Sequence, residues 1–150
     1  MKRMSRIVIT GVLTLAVAPA FAALGGDADS VRSDGASMKS AVRVTANAGF
    51  AVHEMASPAG VVVREFVDTS GKVFAVSWHG MVNPDLRQVL GTYYTQYEQG
   101  SLNAIHSSHR QLAISRPDFM FVNMGKQRAF SGHAWVPAML PMNFSTDDIK

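Results

Sequence analysis

The chain has 150 residues, of which 47% are hydrophobic and 17% charged, with a formal net charge of +3 and no cysteine. This hydrophobic fraction excludes wholesale disorder, and the length fits one compact domain rather than a large multidomain enzyme. The lack of cysteine excludes disulfide bonds, cysteine nucleophiles and cysteine-ligated metal centres, so apolar burial has to stabilise the fold.

Residues 1–22 have the three parts of a secretory signal peptide. Basic residues near the N-terminus precede an uncharged apolar stretch from Ile7 to Ala18, and Ala20-Phe21-Ala22 has the small-x-small pattern of a cleavage site. The uncharged stretch is shorter than the roughly 20 residues that span a bilayer core. We therefore predict cleavage after residue 22, export to the periplasm or beyond the cell, and no transmembrane helix after cleavage.

Removal of this leader changes the charge balance. Three of the 14 basic residues lie in it and none of the 11 acidic residues does, so the remaining chain has a formal net charge of zero. Its Lys and Arg residues are scattered singly, whereas a nucleic-acid binder needs a basic stripe that contacts phosphates. We expect no nucleic-acid partner.

Residues 23–40 are small, polar and glycine-containing, which predicts a loosely ordered N-terminal segment with a short helix around Val31–Met38. From residue 41 to residue 150 we predict a single α+β domain. It opens with four runs of β-branched and aromatic residues that are separated by turn signals, which is typical of an antiparallel meander. These runs are Ala41–Ala46, Phe50–Ala56, Val61–Asp68 and Lys72–Trp78.

The first long turn suggests a register for the second and third strands. If Ser57–Gly60 closes a hairpin with a two-residue loop, His53 faces Arg64 and Glu54 faces Val63. A left-handed Gly71 in the next turn then places Phe66 opposite Phe74. In this register Glu54 and Glu65 lie on the same face of the sheet.

Both faces of this sheet are largely apolar, so each needs at least a partial cover. Asn83-Pro84-Asp85 is typical of a helix start, with Asn83 as the cap. Gly100 marks the helix end, and Gly91 indicates close approach to the sheet. An apolar stripe at helical spacing follows the start: Leu86, Val89, Leu90, Tyr93, Tyr94 and Tyr97.

Three more strands are predicted after the helix, at Gln111–Ser115, Phe119–Asn123 and Arg128–Trp135, with a turn at Gly125-Lys126 and a tail from Ala138. The predicted fold is therefore an antiparallel β-meander, as a curled sheet or partial barrel, packed by one main amphipathic helix.

Several motifs together resemble an uncharacterised family of exported proteins from Gram-negative bacteria, domain of unknown function 2844. The resemblance implies an exported single-domain protein and, because no activity is assigned to the family, it implies no catalytic residues. The motifs that carry it are Ala23-Leu24-Gly25-Gly26, Val52-His53-Glu54, Val63-Arg64-Glu65-Phe66-Val67, Gly71-Lys72-Val73-Phe74-Ala75-Val76-Ser77-Trp78, Pro84-Asp85-Leu86-Arg87-Gln88-Val89-Leu90-Gly91 and Gly132-His133-Ala134-Trp135-Val136-Pro137.

Four residues form a candidate polar patch on the predicted sheet: His53, Glu54, Arg64 and Glu65. Paired carboxylates such as Glu54 and Glu65 on one face can perform general acid–base hydrolysis. The alternative interpretation, which we favour, is the solvated part of a half-covered sheet. We assign no catalytic residue.

Cofactor and metal chemistry have little support in the sequence. His106 and His109 have a spacing that can bring two imidazoles to one metal ion, but no carboxylate lies near them in sequence to complete a site. There is no Gly-x-Ser-x-Gly nucleophile motif and no glycine-rich phosphate loop. We expect no cofactor and no bound metal.

Aromatic side chains offer a possible partner-binding surface, with Trp78, Tyr94 and Trp135 as the candidates. The function that we favour is a non-enzymatic periplasmic or envelope binding or accessory domain. Its partner would be another envelope protein or a small ligand. The alternatives are a small hydrolase that uses Glu54 and Glu65, and a structural subunit of an envelope complex.

Overall fold

The computed structural model describes residues 23–27, 39–104 and 111–149. The predicted leader, the short helix predicted around Val31–Met38, and the pair His106 and His109 lie outside the described residues. The strands are β1 (Val42–Asn47), β2 (Phe50–Ala56), β3 (Val61–Asp68), β4 (Val73–Gly80), β5 (Gln111–Ser115), β6 (Met120–Lys126) and β7 (Ala129–Trp135), and the helices are α1 (Leu86–Leu90) and α2 (Tyr94–Asn103).

The seven strands form one open antiparallel sheet in the order β1-β2-β3-β4-β7-β6-β5. Strands β1 to β4 make the predicted meander. The second group enters the sheet in reverse, because β7 rather than β5 pairs with β4. The predicted α+β fold is confirmed as an open sheet with helical segments packed against it.

The predicted amphipathic helix is present but divided. Asp85, not Asn83, caps α1, because its side-chain oxygen accepts a hydrogen bond from the Arg87 N–H. A 3-10 turn at Gly91–Tyr93 separates α1 from α2, which runs past Gly100 to Asn103. The predicted apolar stripe packs, as expected, into the main core, which it forms together with the side chains on the helix-facing side of the sheet.

The register predicted for β2 and β3 is wrong by one residue. His53 faces Glu65 and Glu54 faces Arg64. The reason lies in the turn: the Ser57 N–H bonds to the Val61 carbonyl at 2.8 Å, and Gly60 has a φ of +76°. This geometry makes a three-residue loop with a left-handed glycine instead of the assumed two-residue loop. A slip of one residue exchanges the faces of every side chain on one strand.

The pairing predicted for Phe66 and Phe74 is also wrong, because the register between β3 and β4 shifts at Phe66/Val67 and Phe66 faces Ala75. The turn predicted at Gly125-Lys126 lies further along the chain, since β6 extends to Lys126 and pairs it with Ala129.

The C-terminal tail covers the sheet face that the helices leave open. Ile149 is fully buried there, against Phe66, Phe74 and Ala75. Phe144 makes an edge-to-face contact with Phe74 at 4.8 Å between ring centroids. This segment, which the sequence suggested only as a tail, is the second cover that the apolar pattern of the sheet required.

Residues 23–27 differ from the loosely ordered segment that the composition predicts. Ala23 and Leu24 are buried, and the Leu24 N–H bonds to the Val89 carbonyl at 3.1 Å. The Gly25 N–H bonds to the Val73 carbonyl at 2.8 Å, so the segment joins the helix to the start of β4. The close approach at Gly91 is to Ala23 and not, as predicted, to the sheet, because a Cβ on Gly91 would overlap the Ala23 side chain.

Candidate functional site

A row of polar side chains crosses the sheet face opposite the helices. The observed register aligns one residue from each of five neighbouring strands, because directly paired residues in an antiparallel sheet project to the same face. In strand order these residues are Arg43, Glu54, Arg64, Ser77 and His133.

An ion pair lies within this row. The Arg64 Nε–H donates to Glu54 Oε2 at 2.8 Å, and both side chains are about one-third exposed. The hydrogen bond from Arg64 lowers the pKa of Glu54 against the opposing effect of burial, and the charges of Arg64, Arg43 and His79 lower this pKa further. Glu54 is therefore a stable carboxylate at neutral pH, which suits ion pairing and not proton donation.

The ion pair forms part of the wall of a cleft of about 320 Å³. Asp148 comes from the C-terminal segment and faces strands that lie far from it in sequence. The side chains of Arg43 and Asp148 make no hydrogen bond or ion pair with the rest of the described chain. The lining residues are Arg43, Thr45, Val52, Glu54, Arg64, Phe66 and Asp148.

The structure changes which residues of the predicted polar patch share a face of the sheet. Glu54 and Arg64 line the cleft, whereas His53 and Glu65 pair on the helix-facing side, where Glu65 is 1% exposed. Glu54 and Glu65 therefore project to opposite faces. The paired-carboxylate hypothesis for hydrolysis is wrong, because it depended on the slipped register.

The three candidate aromatic residues have different environments. Trp78 is 2% exposed in the main core, so it is not part of a partner-binding surface. Tyr94 is half-buried beneath the Arg87 guanidinium, 4.6 Å from its ring centroid. Trp135 is half-buried on the cleft side of the sheet and stacks on His133 at 5.6 Å. Of the three, only Trp135 contacts the polar row, through His133.

Sequence reasoning missed Arg43 and Asp148 as cleft residues. Arg43 stands in a short run without a motif, and Asp148 lies in a tail whose position depends on the tertiary structure. The only local signal was a charged residue between two apolar ones, Arg43 between Val42 and Val44.

Within the described ranges, no group of three or more His, Asp or Glu side chains is arranged to hold a metal ion. None of the described helices has the length and hydropathy needed to cross a bilayer.

Comparison with known proteins shows a family and no nearer relative. The family described as "Protein of unknown function (DUF2844)" matches residues 20–149. No curated protein and no solved structure matches the chain. The match covers almost the whole chain beyond the predicted leader, so the chain belongs to the DUF2844 family, as its motifs suggested.

Proposed function

We propose that this DUF2844 protein is exported and acts as a non-enzymatic binding domain of the periplasm or cell envelope. The observation that supports this function best is the charged cleft opposite the helices. We further propose that the cleft binds a small zwitterionic molecule, one that carries both a carboxylate and an ammonium group.

The charges of the cleft support a zwitterion. Glu54 and Arg64 neutralise each other at 2.8 Å, which leaves Arg43 and Asp148 as the charged groups available to a ligand. Arg43 can donate paired hydrogen bonds to a carboxylate, and Asp148 can accept from an ammonium group. Val52 and Phe66 supply apolar wall between them. A free amino acid or the end of a short peptide has this combination of groups.

Binding explains the cleft better than catalysis does. A hydrolase that works by general acid–base chemistry needs a carboxyl group whose pKa is raised, and Arg64 lowers that of Glu54. The cleft volume of about 320 Å³ is at the lower end for small-molecule sites and suits a ligand of amino-acid size.

The binding proposal can be tested by NMR titration of the purified protein with leucine. We expect saturable shifts at the backbone amides of Arg43, Thr45 and Asp148. N-acetylleucine, which lacks the ammonium group, and leucine amide, which lacks the carboxylate, should each bind more weakly. The variants Arg43→Gln and Asp148→Asn should weaken leucine binding, and Asp147→Asn serves as the matched control outside the cleft lining. Equal binding of the three compounds, or no shift with any of them, would contradict the proposal.

Export rests on the three-part pattern of residues 1–22. Expression of the full chain in a Gram-negative host, followed by mass measurement of the periplasmic fraction, should give a protein that starts at Ala23. Retention of residues 1–22 in a cytoplasmic product would refute this part of the proposal.

A further inference from the structure

The first strand of the sheet has an open edge. Among the described residues, β1 pairs with β2 on one side and with no strand on the other. Every residue of β1 after Val42 is exposed, and Val44 has 57% of its surface exposed. No described strand therefore uses the backbone groups on the outer side of β1, which another extended chain can pair with.

The turn between β1 and β2 shows which backbone groups point outwards. Asn47 pairs with Phe50 across a two-residue loop, and such a loop closes on a hydrogen-bonded pair. Because hydrogen bonding alternates along an antiparallel ladder, Asn47, Thr45 and Arg43 direct their N–H and C=O groups towards β2. The groups of Val42, Val44 and Ala46 then point away from the sheet.

This edge lacks the features with which proteins usually prevent strand addition. The pairing of β1 with β2 is regular, without a bulge, and β1 contains no proline and no lysine. Its helix-facing side chains are apolar (Val42, Val44 and Ala46), and its single charge is Arg43 on the cleft side. A regular, β-branched, exposed edge is a template for pairing with another strand.

We propose that the outer edge of β1 binds an extended segment of another protein, which adds an eighth strand to the sheet. The segment would alternate apolar residues with acidic ones and would place an acidic side chain opposite Arg43. This surface shares the Arg43 side chain with the zwitterion-binding cleft, but its main contacts are the outward backbone groups of β1, which do not line the cleft.

Charge complementarity identifies the occupant. Arg43 has no hydrogen bond or ion pair with the described residues, and Glu54, its neighbour on β2, is held by Arg64. A second copy of β1 would bring another arginine and no acid, because the strand reads VRVTAN. An acidic segment from a different protein satisfies both the backbone of the edge and the charge of Arg43.

The probe is an N-acetylated, C-amidated peptide, Lys-Val-Glu-Val-Glu-Val-Lys, added to the isotope-labelled protein and followed by NMR. We expect slowed hydrogen exchange at the amides of Val42, Val44 and Ala46. The peptide with Gln in place of both Glu residues should bind about two- to fivefold more weakly, as for an exposed ion pair. Arg43→Gln should remove this difference between the peptides.

Val44→Pro removes the outward N–H and leaves the ladder with β2 intact, so it should abolish binding of both peptides. Val44→Thr keeps the N–H and is the matched control, which should bind as the original protein does. Unchanged exchange at the edge amides at millimolar peptide would overturn the proposal. So would β1-dependent dimerisation of the free protein that Val44→Pro abolishes, because a second copy would then be the occupant. Loss of leucine binding alone would affect only the cleft proposal.

Discussion

Substitution of Gly91 by alanine tests whether residues 23–27 are docked against the helix. Gly91 has a φ of +51° and a ψ of −124°, a backbone conformation that residues with a Cβ rarely adopt. The added methyl group would also overlap the side chain of Ala23, which is 3% exposed. Both effects oppose the docked arrangement of α1 and the N-terminal segment.

The two contributions can be bounded separately. A residue with a Cβ in such a backbone region costs about 1–3 kcal/mol. Overpacking against Ala23 adds about 1–3 kcal/mol. The segment can escape this overlap by undocking, but undocking exposes Leu24, which costs a similar amount and so sets the upper limit of the steric cost. We expect Gly91→Ala to lower the free energy of unfolding by about 2–5 kcal/mol. For a chain of this size that shifts the Tm by about 5–15 °C.

The assay is urea denaturation of four proteins: the original chain, Ala23→Gly, Gly91→Ala and the double variant. The double variant lacks the Ala23 methyl group. It should regain the stability that Gly91→Ala loses to steric overlap, but not the stability lost to the unfavourable backbone conformation. Hydrogen exchange at the amides of Leu24 and Gly25 should accelerate in Gly91→Ala. An unchanged free energy of unfolding for Gly91→Ala, or a double variant no more stable than Gly91→Ala, would refute the docking of Ala23 against Gly91.

Three further predictions concern the cleft and the two cores. Because the pKa of Glu54 is lowered in the folded state, its ion pair stabilises the fold above the unfolded pKa of about 4.3, and this contribution disappears as the pH falls through the lowered value. Glu54→Gln should therefore reduce the free energy of unfolding by up to about 1 kcal/mol at pH 7 and have no effect near pH 2; the same loss at both pH values in urea titrations would contradict this. Ile149→Ala should cost about 2–5 kcal/mol, because Ile149 is fully buried; a Tm within 1 °C of the original, by differential scanning calorimetry, would mean that the C-terminal cover does not stabilise the fold. Gly132→Ala should lower the free energy of unfolding by at least about 2 kcal/mol and change the fluorescence of Trp78. The new Cβ would lie 2.6 Å from Trp78 Cε2 and 2.7 Å from a backbone oxygen. An unaltered emission spectrum and stability would show that this contact is looser.

Local patterns in the sequence were sufficient to locate most of the elements. Runs of β-branched and aromatic residues between turn signals marked Phe50–Ala56 and Val61–Asp68 at their observed bounds. The helical spacing from Leu86 to Tyr97 identified the stripe that packs on the core. Strand propensity and helical spacing depend on residues that are close in sequence, so both can be recognised without the tertiary structure.

The register could not be read in the same way. The sequence around Ser57–Gly60 is compatible with a two-residue and with a three-residue loop, and the choice between them depends on which faces of β2 and β3 become buried. The three-residue loop puts Met55 and Val63 in the main core and Glu54 with Arg64 in the cleft. The opposite choice puts Glu54 on one face with Glu65 and His53 on the other with Arg64, which is the predicted arrangement. The observed register instead pairs Glu54 with Arg64 and His53 with Glu65.

The sequence by itself therefore determined the α+β class, the strands, the amphipathic stripe and the need for a cover on each side of the sheet. Only the tertiary structure decided that β7 joins β4, that the C-terminal segment is the second cover, and that Arg43 and Asp148 share a cleft. The physical reason is that strand propensity and amphipathicity are local quantities. Pairing, register and the meeting of residues from distant parts of the chain are instead set by the burial of whole faces at once.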